Sequence, residues 1–159
     1  MTRHNDIPQW LIDLPNKYSI ILFDGICAVC NTFVNFVMDH DTDKQYKFAS
    51  LQSTVGQQLL HLHAIDPKID SMVLINSRTD TNKLGIYHTR SSAAILIITS
   101  IYWWFNVFIY VPLLLRDWCY ARFASIRYKL FGYVDRCRLP TNETKQRFIE
   151  YSTLADEGG

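Results

Sequence analysis

From Ser19 the chain reads Ser-Ile-Ile-Leu-Phe23, then Asp24-Gly25, then Cys27-Ala-Val-Cys30, after which Phe33, Val34, Phe36 and Val37 recur at helical spacing. The apolar, β-branched run over 19–23 reads as a fully buried strand. A strand therefore delivers two thiols to the first turn of a helix, where backbone N–H groups are unpaired and the helix dipole is positive. Both features stabilise a thiolate. The arrangement suits dithiol–disulfide chemistry, and it commits this part of the fold to a strand-to-helix junction.

The rest of the chain extends that junction into layers. A helix over Asn31–His40 is followed by a strand over Tyr46–Ser50, a strand–helix–strand unit that makes the two strands parallel with a right-handed crossover. Leu59, Leu60 and Leu62 mark a helix over Val55–His63, with Ser53 as its N-cap. Ser71–Asn76 reads as a third strand and Leu84–Tyr87 as a fourth, paired antiparallel across the polar link Ser77–Lys83. Ser91 is placed to cap the next helix, Ser91–Ile101. The order predicts an α/β fold, a mixed four-stranded sheet flanked by helices over residues 18–101. Residues 102–140 read as a helical extension packed on the core, with an amphipathic stretch over Leu113–Phe131 and Gly132 as its C-cap. Residues 1–17 read as a polar arm. Residues 141–159 read as a polar tail, with a helix around Lys145–Tyr151.

Composition narrows the function classes. The chain has 159 residues, enough for one domain with a proper core, and 48% of them are hydrophobic, which excludes disorder. Its formal net charge is +1 and no basic stripe alternates with aromatics, so nucleic acid is not the expected partner. The N-terminus lacks a signal-type apolar core. Four cysteines, at 27, 30, 119 and 137, do not make a disulfide scaffold and point to a reducing, cytoplasmic setting with one reactive pair. Ala93 to Leu115 contains no charged residue. Asn106 and Pro112 interrupt it, however, and Tyr102-Trp-Trp-Phe105 occupies its middle, away from where membrane spans carry their aromatics. Two shorter elements, Ser91–Ile101 and roughly Val107–Leu115, are expected to meet there at an aromatic bend, buried or surface-associated.

Cys27 lies at or just before the helix start, so its sulfur is expected to face solvent and the helix N-terminus, with a pKa drawn toward the range ~3.5–7.5. Cys30, one turn in and more shielded, is the natural resolving thiol. Two buried free cysteines, or half of a zinc site, are the plainer readings. Zinc would need further ligands, and Cys119, Cys137, His61 and His63 are not spaced as a second ligand pair. Asp24-Gly25 at a strand end also resembles the start of a haloacid-dehalogenase-type phosphotransferase motif, but the second carboxylate such a motif needs is Ile26 here. Asp24 more simply orders the loop by accepting N–H groups, or tunes proton transfer at the dithiol. Gly25 lets the backbone turn sharply.

The element order is that of the thioredoxin fold, and Asp24-Gly-Ile-Cys-Ala-Val-Cys-Asn31 resembles the signature of the DCC-type thiol-disulfide oxidoreductases. The resemblance continues through Phe48-Ala-Ser-Leu-Gln-Ser53, Arg90-Ser-Ser-Ala93, Pro112 with Arg116-Asp117, Tyr120, Arg127-Tyr128, Phe131-Gly132, and Cys137 with Pro140. It implies a thioredoxin-like fold and protein-disulfide reductase activity through Cys27 and Cys30. It also admits Cys137 as a third redox participant, whereas a packed free thiol is the simpler reading. Cys119, between Trp118 and Tyr120, reads as core. Arg127 and Tyr128 are candidates to face the dithiol, where a cation lowers a thiol pKa; the alternative is a solvated Arg covering apolar surface with its stem. Thioredoxins place a cis-proline just before the third strand, but here Pro67 lies four residues ahead of Ser71, and Ser71 or Met72 takes the groove position.

The resulting expectation is an oxidoreductase with catalytic Cys27 and Cys30, supported by Asp24, Gly25, Arg127, Tyr128 and Cys137. It needs no cofactor or metal. Its partners are a disulfide-containing protein or small molecule and an external thiol reductant. The competing expectation is a non-enzymatic interaction or membrane-associated module, in which the aromatic segment Tyr102–Tyr110 binds and the thiols merely pack.

Overall fold

β1 (Ser19–Phe23) occupies an inner position of a four-stranded sheet in the computed structural model, which describes residues 7–76, 86–133 and 145–150. Strand order is β2-β1-β3-β4, with β2 at Tyr46–Ser50, β3 at Val73–Ile75 and β4 at Tyr87–Thr89. β1 runs parallel to β2, Ser19 opposite Tyr46 through Phe23 opposite Ser50, and antiparallel to β3; β3 and β4 are antiparallel. This is the mixed, thioredoxin-like sheet that the element order implied.

Alternation along β1 builds two cores, because successive side chains of a strand point to opposite faces. Ile20 and Leu22 join Ala49, Val73 and Ile75 beneath α3 (Thr54–Leu62), which contributes Leu59 and Leu60. Ile21 and Phe23 join Phe48 and Leu74 beneath α2 (Ala28–His40) and α4 (Arg90–Ile101), which supply Val34, Val37, Ala93 and Ile97. All four of these β1 side chains are fully buried, which makes the strand ending in Asp24 a rigid base for the site. Ser53 caps α3, its Oγ accepting from Gly56 N at 3.0 Å.

Several elements differ from the sequence reading. Residues Gln9–Lys17 of the expected polar arm form a helix, α1, whose Leu11 is sealed in the first core. The fourth strand lies at Tyr87–Thr89, because pairing sets Ile75 opposite Tyr87 and Val73 opposite Thr89; Leu84 and Gly85 fall outside the described residues. Thr89, not Ser91, is the N-cap residue of α4, and Ser91 Oγ instead donates to Asp117. The aromatic bend is a 3-10 helix, Trp103–Tyr110, and the expected Val107–Leu115 element divides at Val111–Pro112. Pro112 lacks an N–H and its φ of −51° suits a helix start, so it opens α5 (Leu113–Phe131). Gly132 ends α5 at φ 74°, a conformation glycine adopts without penalty. No helix among the described residues is long and apolar enough to cross a membrane.

Of the expected tail helix, Lys145 and Ile149–Glu150 are helical, and the turn between them lies against the outer edge of β2. Phe48 and Phe148 form a parallel bridge, Phe48 N donates to Arg147 O at 2.9 Å, and Ser50 N donates to the Glu150 carboxylate at 2.6 Å. Phe148 and Ile149 enter the two cores, and buried Arg147 pairs with Asp41. The edge of β2 is thereby covered.

Candidate active site

β1 delivers Asp24 at its C-terminal end, and the loop 24–27 closes on itself, with Cys27 N donating to Asp24 O at 3.3 Å and Ile26 N to Asp24 Oδ1 at 3.2 Å. Asp24 thus orders the loop by accepting an N–H, as its position suggested. Cys27 is the N-cap residue of α2, and Cys30 sits in that helix's first turn. Asn31 Nδ2 ties loop to helix, donating to Gly25 O at 2.9 Å and Cys27 O at 3.0 Å.

Gly25 suits its place for a different reason than its conformational freedom. Its φ is not positive, but a Cβ there would stand 2.7 Å from Ser50 Oγ. Gly25 N also donates to Gln52 Oε1 at 3.1 Å. Close approach to the Ser50 side chain, at the end of β2, is what crowds a side chain here.

The exposure of the two thiols is the reverse of the expectation. Cys27 is 0% exposed and Cys30 is half-buried. The chain beyond α5 runs beside the dithiol: Tyr133, itself exposed, forms an antiparallel backbone bridge with Cys27 and stacks on Tyr128, ring centroids 4.7 Å apart. Both cysteines are free thiols. Cys119, expected in the core, is exposed on the outer side of α5. Cys137 and Pro140 lie outside the described residues.

α5 closes the site from the other side. Arg127 and Asp24, 2% and 4% exposed, form an ion pair with Nη2 3.1 Å from Oδ2. Arg127 Nη1 donates to Cys30 Sγ at 3.9 Å, and Nη2 also reaches Asp70 O at 2.7 Å and the Tyr128 hydroxyl at 2.9 Å. The Tyr128 hydroxyl donates to Asp24 Oδ2. Asp24, Arg127 and Tyr128 are therefore brought together beside the dithiol. Arg127 is not a solvated surface cation.

The ionisation of Cys30 follows from this packing. Burial first, then its hydrogen bond to Cys27 and the charge on Cys27, push it up to about 12, while the Arg127 cation opposes the rise without overcoming it. Burial and the hydrogen bond donated to Asp24 likewise raise Tyr128 to about 12. Burial works against the charge of Arg127, but its bond to Tyr128 and the nearby thiols hold the guanidinium above its ordinary range.

Two contributors were not legible as site residues. Gln52 Nε2 donates to Asp24 Oδ1 at 2.9 Å, completing the carboxylate's shell. The signal was available in the parallel pairing, since Phe23 opposite Ser50 places the turns after β1 and β2 side by side. Tyr120 was noted only for its motif; its hydroxyl accepts from Met72 N at 3.3 Å. Met72 O accepts from Arg90 N, and Asp70 O is taken by Arg127. The backbone before β3, where thioredoxins shape a substrate groove, is thus already engaged by α4 and α5.

Residues 21–133 match the DCC1-like thiol-disulfide oxidoreductase family. The chain belongs to this family. A relative from Bacillus subtilis, the uncharacterized protein YuxK, is 36% identical over 140 residues, covering 86% of this chain and 96% of its own. A chloroplastic DCC family protein of Arabidopsis thaliana is 36% identical over 130 residues, covering 78% of this chain and 71% of its own. No solved structure matches. In this DCC family chain the matched span begins within β1 and ends at Tyr133, so it takes in the dithiol, Asp24, Gln52, Arg127, Tyr128 and the bridge partner of Cys27.

Proposed function

We propose that the protein is a protein-disulfide reductase-type enzyme in which Cys27 attacks and Cys30 resolves. The observation that carries this reading is the asymmetry of the pair. Cys27 caps a helix, while Cys30 keeps its proton up to about 12, largely through burial and Cys27.

In the first step a local opening uncovers the buried Cys27, whose thiolate attacks one sulfur of a substrate disulfide. A Cys27–substrate disulfide forms, the substrate S–S bond breaks, and the other substrate sulfur leaves as a thiolate. That step removes the negative charge and hydrogen-bond acceptor at Cys27, two of the causes that hold Cys30 protonated. Arg127 then draws Cys30 toward its thiolate, with solvent accepting the proton. Cys30 attacks Cys27 Sγ, the mixed disulfide breaks, and the second substrate thiolate departs. Two electrons have passed from the dithiol to the substrate. An external thiol reductant returns Cys27–Cys30 to the dithiol, and a reducing compartment such as the cytoplasm suits the cycle.

Asp24, Tyr128 and Gln52 act in this reading as positioning residues that hold the Arg127 guanidinium against Cys30. The test is Cys30→Ser with mass spectrometry of trapped adducts. Mixed disulfides through Cys27 are expected, and Cys27→Ser abolishes them. Trapping mainly through Cys137, or no adducts with a Cys27 that resists alkylation, would overturn the assignment.

A further inference from the structure

α5 has two unlike faces. Asp117, Tyr120 and Arg127, spaced three or seven apart, turn inward onto Ser91, Met72 and Asp24. The outward face carries Leu114, Leu115, Trp118, Ile126 and Leu130, all exposed. The 3-10 helix that precedes α5 in the chain is exposed as well, Trp103 at 80% and Tyr110 at 88%, together with Trp104, Val107, Phe108 and Ile109. Monomeric proteins rarely leave so many large apolar side chains together in water.

Charge indicates what covers this face. Between Arg90 and Tyr133 the basic residues are Arg90, Arg116, Arg122, Arg127 and Lys129, against the single acidic Asp117, a local net of +4 in a chain of net +1. Asp117 is turned inward onto Ser91, and Arg127 onto Asp24, while Arg122 and Lys129 stand exposed among the apolar side chains. A second copy seated by two-fold symmetry would set these cations against their own duplicates. An anionic lipid surface takes both components at once. Leucines enter the acyl boundary, indole N–H and phenol O–H groups lie at headgroup depth, and Arg and Lys reach the phosphates.

We propose that the 3-10 helix Trp103–Tyr110 and the outward face of α5 dock the protein peripherally on anionic membranes. The segment lies in the interface and does not cross it, in keeping with the absence of a spanning helix among the described residues. The proposal is independent of the thiol chemistry, although the same helix carries Tyr120, Arg127 and Tyr128 to the dithiol.

Sedimentation of the full chain with phosphatidylcholine vesicles, with and without phosphatidylglycerol, tests it. Binding is expected only with phosphatidylglycerol and is lost at high salt. Leu114→Asp weakens the partition by about tenfold or more, because a fully exposed leucine loses its burial in lipid. Arg122→Gln weakens it about fivefold through one surface charge. Both positions are exposed, so unchanged circular dichroism is expected, and Trp103→Ser serves as a third variant should either fail to fold. Equal binding to both vesicle types, insensitivity to all variants, or no binding overturns the proposal. So does a dimer that Leu114→Asp converts to monomer without any vesicle binding, which would assign the face to a second copy.

Discussion

Asp24 and Arg127, 103 residues apart in the chain, meet as a buried ion pair 3.1 Å across that joins the end of β1 to α5 beside the dithiol. Neither charge is isolated, since Gln52, Tyr128 and Ile26 N donate to Asp24 and Asp70 O accepts from Arg127, whose buried Nε has no hydrogen-bond partner among the described residues. Removing one partner leaves the other charge buried. Arg127→Met is expected to cost about 3–5 kcal/mol in guanidinium denaturation, and adding Asp24→Asn to restore much of it. A single variant within measurement error of the parent protein would refute the pairing.

The pH dependence of the reduced protein follows from Cys30 and Tyr128. Both are held neutral to about 12, against ordinary values of 9.0 and 10.0. Above the ordinary values the unfolded chain ionises while the folded one does not, so the stabilisation these groups provide is intact below pH 9 and is lost as pH rises toward 12. The urea midpoint should fall from about pH 9 upward. In Cys30→Ser the fall should begin later, at the tyrosine; an identical onset would contradict the assignment to Cys30.

Cys27→Ser removes the charge that helps to hold Cys30 protonated. The alkylation rate of Cys30 at mildly alkaline pH should then rise by about tenfold or more, in proportion to its thiolate fraction. Adding Arg127→Met should reverse part of the gain. An unchanged rate would show that burial alone sets the Cys30 thiol.

Two glycines should differ in their tolerance of a methyl group. A Cβ at Gly56 would lie 2.0 Å from the carbonyl oxygen of Ser50, which is backbone and cannot step aside. A Cβ at Gly25 meets Ser50 Oγ at 2.7 Å, a side-chain atom that can rotate. Gly56→Ala is expected to destabilise by about 3 kcal/mol and Gly25→Ala by about 1. Calorimetric unfolding of the two variants decides the order.

Phe148 packs edge-on to Phe23 at 6.2 Å and against Phe48 at 5.8 Å. Phe148→Ala should cost about 3–5 kcal/mol, as for other core aromatics, with the dithiol geometry retained. A loss below about 1 kcal/mol, the scale of surface substitutions, would mean that 145–150 contribute little to the fold.

The features that were legible in the sequence share one property: the residues responsible are close in the chain. The strand–thiol–helix junction, the Ser53 cap, the Leu113–Phe131 helix and its Gly132 stop all follow from periodicity and local hydrogen bonding. Leu11 was not recognised because one apolar cluster among polar residues shows no partner until α1 packs on the sheet. The shift of β4 was set by its pairing with β3, and the splitting of the aromatic segment by Pro112.

The opening run from Ser19 to Val37 by itself determined the chemistry on offer, two thiols at a helix start, because capping and hydrophobic period act within a few residues. Which thiol is buried, and whether Arg127 faces the dithiol or solvent, was decided only by tertiary structure. Arg127 against Cys30, near the end of α5, and Tyr133 bridged to Cys27, just past it, come from roughly a hundred positions away. Contacts across that separation leave no local pattern, since their geometry is set by the whole sheet and the helices on its faces.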